Sequence, residues 1–180
     1  MMKICLGGYT SSGKSTVGQA IAKELNVAYI TKEMTPTYKS LVSQGVDPVK
    51  DRNIFSEAKY ASRFDEDIRI IARETDDCVV TTWLGPWFIK DATLKVWLNA
   101  GETVRAERTA LREKLSLPEA MNFIKAKDAN NVKNFKKDYN IDITDHSTFD
   151  IEINTEKFSV NELASMIAAI SLIKEKGKFW

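Results

Sequence analysis

The feature that most constrains this chain is a segment near its start, Gly8-Tyr9-Thr10-Ser11-Ser12-Gly13-Lys14-Ser15. It matches the pattern G-x-x-x-x-G-K-[ST], in which a glycine-rich loop wraps a chain of phosphates. Before it, the short apolar run Lys3–Leu6 predicts a buried strand, because Gly7 and Gly8 end it abruptly. After it, apolar side chains recur at helical spacing from Ser15 to about Asn26. The sequence therefore predicts a strand, a phosphate-binding loop and a helix in that order.

The chemistry of phosphate binding explains the residue types of this loop. Glycines let successive backbone N–H groups point inward as a nest of donors, and the following helix adds the positive end of its dipole. We expect the Lys14 ammonium to neutralise oxygens of the β and γ phosphates, and the Ser15 hydroxyl to bind Mg²⁺. The predicted cofactors are ATP and Mg²⁺, and the predicted donor-binding residues of the loop are Gly8, Tyr9, Thr10, Ser11, Ser12, Gly13, Lys14, Ser15 and Thr16.

The rest of the chain alternates β-rich runs with helical patterns. Further strands are predicted at Val27–Ile30, Cys78–Thr82, Leu94–Leu98 and Phe149–Ile153. Helical periodicity is present over Arg63–Thr75, Val104–Leu115, Pro118–Tyr139 and Val160–Ile173, and over Thr35–Ser62 with breaks at Pro36 and Pro48. Five strands that alternate with helices predict an α/β fold with a parallel sheet. At 180 residues the chain has room for one such domain.

Composition excludes several classes of protein. The chain holds 26 basic and 25 acidic residues, a formal net charge of +1, so bulk charge-driven binding to nucleic acid is not expected. We find no signal-peptide pattern at the start and no uncharged apolar run of the roughly 18 residues that a membrane span needs. Cys5 and Cys78 lie in apolar runs, which favours buried thiols over a zinc or redox site. We expect a cytoplasmic monomer that binds small molecules, without nucleic-acid or membrane partners.

The charges are unevenly distributed along the chain. Residues 105–137 carry nine Lys or Arg against four Asp or Glu, whereas residues 138–156 carry six acids and no Lys or Arg. Two interpretations remain open: these are two solvated faces, or the basic segment binds an anionic substrate at the active site.

Beyond the loop, three further stretches carry a resemblance to a known family: Leu94–Leu98 followed by Val104–Arg112, then Phe135–Asp142, then Ser147–Thr155. With the loop, they make nearly the whole chain similar to nucleoside monophosphate kinases, and in particular to the short archaeal-type cytidylate kinases. The resemblance implies a P-loop NTPase three-layer sandwich with a five-stranded parallel sheet and a helical lid. It implies a single domain over residues 1–180, with a helical acceptor-binding insert at about 33–75 and the lid at about 112–137.

The resemblance also implies roles for particular residues. Arg108 and Arg112 lie on one helical face, where the first would stack on the donor base and the second would reach the transferring phosphates. The predicted catalytic residues are therefore Lys14, Arg112 and Arg108, and Asn154 and Thr155 would form part of the adenine pocket. The predicted clamp on the acceptor monophosphate is Arg69, Arg63 and Arg52. Trp83 and Trp87 are candidates for stacking on the acceptor ring, with packing in the core as the alternative.

One segment departs from the family pattern. After the third strand the family has an acidic residue, a glycine and an arginine, whereas this chain has Thr81-Thr82-Trp83. The function predicted is transfer of a phosphoryl group from ATP to CMP or dCMP, which gives ADP and the nucleoside diphosphate. Two alternatives remain: a P-loop kinase for another small acceptor, or a nucleotide-binding protein with little turnover. No Asn-Lys-x-Asp motif for guanine is present, which counts against a GTPase.

Overall fold

A computed structural model describes residues 1–47 and 58–177. Its five strands are β1 (Lys3–Gly7), β2 (Ala28–Ile30), β3 (Cys78–Val80), β4 (Leu94–Asn99) and β5 (Ile151–Asn154). They form one parallel sheet in the order β2-β3-β1-β4-β5. The first strand of the chain therefore lies in the middle of the sheet, and the loop after it opens at the carboxyl edge, where ligands bind in such folds. The predicted α/β fold with a five-stranded parallel sheet is confirmed.

The helices are α1 (Lys14–Leu25), α2 (Pro36–Ser43), α3 (Ala58–Glu74), α4 (Gly85–Phe88), α5 (Glu102–Glu113), α6 (Leu117–Tyr139) and α7 (Val160–Gly177). Single 3₁₀ turns lie at Lys32–Met34 and His146–Thr148. Pro36 does not break a helix: it begins α2, where its missing N–H has no partner to lose, and Thr35 caps that helix. The short helix α4 was not predicted from the sequence, and Pro48 lies outside the described residues.

Alternating side chains of the central strand build two apolar layers. Ile4 and Leu6 point to one face of the sheet, where they pack in one cluster with Ile21 of α1 and Ile167 of α7. Cys5 points to the other face and packs with residues of α3. Each fully buried aliphatic side chain contributes about 1.5–3 kcal/mol. Helices on both faces of a parallel sheet give the expected three-layer sandwich.

Helices α5 and α6 form a hairpin beside the phosphate-binding loop. Ala106 of α5 packs against Ala120 and Ile124 of α6. A capping box begins α6, because the Ser116 side chain accepts from the Glu119 N–H and the Glu119 carboxylate accepts from the Ser116 N–H. This hairpin occupies the span of the predicted lid, and α2 and α3 occupy the described part of the predicted insert. The domain assignments themselves stay predictions. Across the described ranges, no helix is long and apolar enough to cross a membrane.

Candidate active site

The loop between β1 and α1 is shaped by two glycines with positive φ. Gly8 has φ 144° and Gly13 has φ 107°, in the region that L side chains rarely adopt. A Cβ on Gly8 would collide with the carbonyl oxygen of Leu98 and the side chain of Ser12. The Ser12 hydroxyl is buried and lacks a hydrogen-bond partner within the described ranges. The loop is thus a cradle that a side chain would fill, which fits a bound phosphate chain.

Lys14 is held over this cradle. Its Nζ donates to the carbonyl oxygens of Gly8 at 2.6 Å and Tyr9 at 2.7 Å, and lies 5.0 Å from the centre of the Trp83 ring. Burial lowers the pKa of Lys14 to about 7, and the positive charges of Lys127, Arg105 and Arg112 act in the same direction, against the attraction of Asp128. Several cations that disfavour one another at a common site will bind an anion readily.

A buried ion pair, which the sequence did not indicate, ties the loop to both helices of the hairpin. Arg105 of α5 donates through Nη1 to Asp128 of α6 at 2.6 Å and to the Thr10 carbonyl oxygen at 3.0 Å. Its Nε donates to the Ala100 carbonyl oxygen at 3.1 Å. The second carboxylate oxygen of Asp128 accepts from the Thr10 N–H at 3.1 Å. Both backbone groups of Thr10 are therefore held by this one pair.

A second contact set secures the loop from the side of β5. Arg108 donates to the hydroxyl of Thr155 at 3.0 Å and to its carbonyl oxygen at 3.1 Å. The buried Thr155 hydroxyl lies 3.0 Å from the Ser12 carbonyl oxygen, to which it donates. Arg108 and Thr155, both predicted as donor-site residues, are thus brought together behind the loop. Their contact with a donor base stays a prediction.

A cavity of about 950 Å³ opens in front of the loop, a volume suited to a small ligand. Lys32, Arg112 and Lys127 line it together with Lys14, and burial lowers the pKa of both Lys32 and Lys127. Neither Lys32 nor Lys127 was predicted from the sequence. Other lining residues come from α3, from the segment after β3 and from α6, including Asp65, Trp83, Phe135 and Tyr139.

The structure brings some of the predicted residues into this cavity and leaves others outside. Those that line it are Thr10, Ser11, Lys14, Ser15, Arg112 and Trp83. Arg69 pairs with Glu66 at 3.0 Å and lines a separate, smaller pocket. Trp87 packs edge-on against Phe149, with ring centres 5.2 Å apart. Arg63, Thr16 and Asn154 are exposed and do not line the cavity, and Arg52 lies outside the described residues.

The segment that replaces the acidic residue, glycine and arginine has local structural partners. The Thr81 hydroxyl lies 2.9 Å from the Tyr29 hydroxyl. The Thr82 hydroxyl accepts from the Gly85 N–H at 2.9 Å, at the start of α4. Both threonines line the cavity without carrying a charge. The charges that face a ligand here therefore come from other elements.

Comparison with known proteins gives the family. Residues 3–157 match the model of the cytidylate kinase-like family. This chain belongs to the cytidylate kinase-like family. The expected resemblance to nucleoside monophosphate kinases, and in particular to archaeal-type cytidylate kinases, is confirmed, and the protein is a phosphotransferase.

Relatives of similar length support the assignment. The chain is 31% identical over 172 residues to the cytidylate kinase of Pyrococcus horikoshii, across 92% of this chain and 86% of that protein. It is 29% identical over 171 residues to the cytidylate kinase of Sulfurisphaera tokodaii, across 93% and 94%.

Solved structures share the fold. A shikimate kinase from Bacteroides thetaiotaomicron superposes with a TM-score of 0.61 at 19% identity, across 97% of this chain and 98% of that one. A gluconokinase from Sinorhizobium meliloti gives 0.62 at 16% identity, across 99% and 96%. At this identity the likeness concerns the fold alone.

Proposed function

We propose that the protein transfers the γ-phosphoryl group of ATP to CMP or dCMP, which yields ADP and the corresponding diphosphate. One observation carries the proposal: a phosphate cradle opens into a nucleotide-sized cavity that is lined by four cationic side chains, Lys14, Lys32, Arg112 and Lys127. Family membership and relatives that are cytidylate kinases support CMP as the acceptor. The resemblance supports the base-binding and phosphate-binding roles of Arg108 and Arg112.

In the reaction, an oxygen of the acceptor phosphate attacks the γ-phosphorus, and the bond from that phosphorus to the β–γ bridging oxygen breaks. No general base is required, because the acceptor phosphate is already an anionic nucleophile. Lys14 and Arg112, which face the cavity, would stabilise the charge that spreads over the transferring group. The N–H groups of the loop would hold the β phosphate of ATP.

The Ser15 hydroxyl lines the cavity and would bind Mg²⁺. Throughout the described ranges, no group of three His, Cys, Asp or Glu side chains could hold a metal ion by itself. A single hydroxyl suits Mg²⁺, which commonly binds through substrate phosphates and water with few protein ligands. When bound, this ion supplies neutralisation of the β and γ phosphate charges.

The acceptor phosphate needs cations on the far side of the transferring group. We propose Lys32 and Lys127 for this role, because both line the cavity and the pKa of each is lowered by burial. The clamp by Arg69, Arg63 and Arg52 stays a prediction, since the described arginines of this set do not line the cavity. A different small acceptor is the second candidate, favoured by the uncharged Thr81 and Trp83 at the positions where the family has an acidic residue and an arginine.

An ADP-release assay over a panel of acceptors tests the proposal. CMP and dCMP should give the highest turnover among the nucleoside monophosphates, well above the rate without acceptor. Lys14→Ala should lower kcat by about 10²-fold or more, because it removes charge stabilisation from the transition state. Its far-UV circular dichroism should be unchanged, since the Lys14 ammonium donates to carbonyl oxygens of the loop and is no part of the apolar core. Undiminished turnover in this folded variant would contradict the assigned site.

A further inference from the structure

Three carboxylates line the cavity, those of Glu33, Asp65 and Asp138, and the proposed reaction uses none of them. Glu33 and Asp138 are exposed, whereas Asp65 is not. Asp65 lies on α3, is half-buried and lines the cavity. The Tyr139 hydroxyl, at the end of α6, donates to its Oδ2 at 2.9 Å. Within the described ranges, Oδ1 accepts no hydrogen bond and no cation pairs with either oxygen. The Oδ1 atom of Asp65 therefore remains available to accept a hydrogen bond from a ligand.

The surroundings of Asp65 disfavour the ionised form of its carboxyl group. Burial raises its pKa to about 6, and the bond from Tyr139 offsets only part of that effect. At neutral pH the group is still mainly ionised, in a place where an uncompensated charge lowers stability. Perturbed carboxyl groups without a structural ion pair, located in a ligand cavity, are typical of functional sites.

Asp65 and Lys14 line the same cavity, but different groups shift their pKa values. The cations that lower the pKa of Lys14 do not act on Asp65, whose pKa is shifted by burial and by Tyr139. Two aromatic side chains, Trp83 and Phe135, also line the cavity, with ring centres 5.9 Å apart, and the Lys14 Nζ lies 5.0 Å from the centre of the Trp83 ring. With the ATP phosphates at Lys14 and the acceptor phosphate beside them, the acceptor base would occupy another part of the same cavity, which Trp83, Phe135 and Asp65 help to line.

From this arrangement we infer that Asp65 accepts a hydrogen bond from the 4-amino group of the acceptor pyrimidine and so selects a cytosine over a uracil nucleotide. The inference rests on the proposed function and names its specificity residue. An ionised carboxylate only accepts hydrogen bonds. Cytosine presents an N4 donor that Asp can accept from, whereas uracil presents an oxygen there, which the carboxylate repels.

Tyr139 acts on Asp65 as a positioning residue. Its hydroxyl occupies Oδ2 and leaves Oδ1 for the ligand. Its ring packs edge-on against Phe88, with centres 5.3 Å apart, which fixes where the hydroxyl lies. Tyr139→Phe removes this bond and keeps the ring, so it should weaken the preference for CMP less than loss of the carboxylate does.

The test compares kcat/KM for CMP and UMP in the wild type, Asp65→Asn and Asp65→Ala. Both changes should lower the CMP-to-UMP ratio by about 10- to 100-fold, the effect of one hydrogen bond to a charged group. Glu66→Gln is the matched control, because Glu66 is the next residue on α3, is exposed and lines the smaller outer pocket. It should leave the ratio unchanged.

Calorimetric titration with CMP and with UMP gives a second readout that does not need turnover. The inference would be overturned if the Asp65 variants lost equal affinity for CMP and UMP, or if the CMP-to-UMP ratio of kcat/KM did not change. Asp65 would then bind the sugar or contribute to stability alone. A wild type that binds CMP in preference to UMP through Asp65 but transfers no phosphoryl group would refute the proposed function and leave the inference standing. A wild type that shows no preference refutes the inference.

Discussion

Removing one partner of the buried pair Arg105–Asp128 should be among the most damaging changes in the described part of the chain. The two side chains are only 9% and 11% exposed. Asp128→Ala leaves a buried guanidinium without its counter-charge and the Thr10 N–H without its acceptor. Breaking a buried pair in this way costs about 3–5 kcal/mol. For a domain of this size that lowers Tm by about 6–20 °C.

A second change separates the charge effect from the loss of packing. In Arg105→Met combined with Asp128→Leu no charge is left buried, so most of the stability should return, as it does when apolar residues replace buried pairs. The conformation of the phosphate-binding loop should not be restored, because the carbonyl oxygen and the N–H of Thr10 both lack their hydrogen-bond partners in the double variant. We expect a folded protein with a raised KM for ATP.

The assays are urea unfolding and steady-state kinetics with varied ATP. The control is the exposed pair Lys125–Glu102, which joins the same two helices at 3.2 Å. Glu102→Gln should cost less than about 1 kcal/mol, as surface pairs do. An Asp128→Ala cost equal to that of this control would refute the reasoning, and so would a double variant with normal KM for ATP.

Two further predictions concern the hairpin and the cavity. Arg108→Ala should mainly raise KM for ATP, because Arg108 is proposed to contact the donor base. Arg112→Ala should mainly lower kcat, because Arg112 is proposed to contact the transferring phosphates. Unchanged KM and kcat in both variants would contradict these roles. Asp65→Asn should stabilise the protein by at most about 3 kcal/mol at pH 7.5. The pKa of Asp65 is raised from its ordinary value of 3.8 to about 6, so the folded state binds the proton more tightly than the unfolded state, and each pKa unit corresponds to about 1.4 kcal/mol. The wild type therefore loses stability as pH rises from about 4 to 6, and the gain in the variant should vanish below about pH 4, which urea unfolding across this range will check.

Patterns local in sequence predicted most of the fold. The apolar run before Gly8 and the helical spacing after Ser15 predicted β1 and α1, because adjacent residues determine both. The loop motif placed Lys14 and Ser15 at the cavity for the same reason. The four-residue helix α4 could not be predicted in this way, because it is too short to show apolar residues at helical spacing.

The parts that the sequence did not reveal depend on tertiary contacts. Arg105 and Asp128 look like any charged residues of amphipathic helices, and only the packing of α5 on α6 buries them. Asp65 and Tyr139 are separated by 74 positions, and no spacing rule links them. Trp83 and Trp87 are the same residue type four positions apart, yet only the first lines the cavity. The direction of each side chain in the folded protein, and not its residue type, determines whether it is buried, paired or part of the cavity lining.

The most direct measurement follows the phosphorus atoms themselves. ³¹P nuclear magnetic resonance of a mixture of the protein, ATP, CMP and Mg²⁺ identifies every phosphorus-containing product as it forms. The proposed function predicts that ADP and CDP appear in equal amounts, and that Lys14→Ala slows the formation of both by about 10²-fold or more. Formation of ADP with inorganic phosphate and without CDP, or no consumption of ATP when CMP is present, would contradict phosphoryl transfer to the nucleotide.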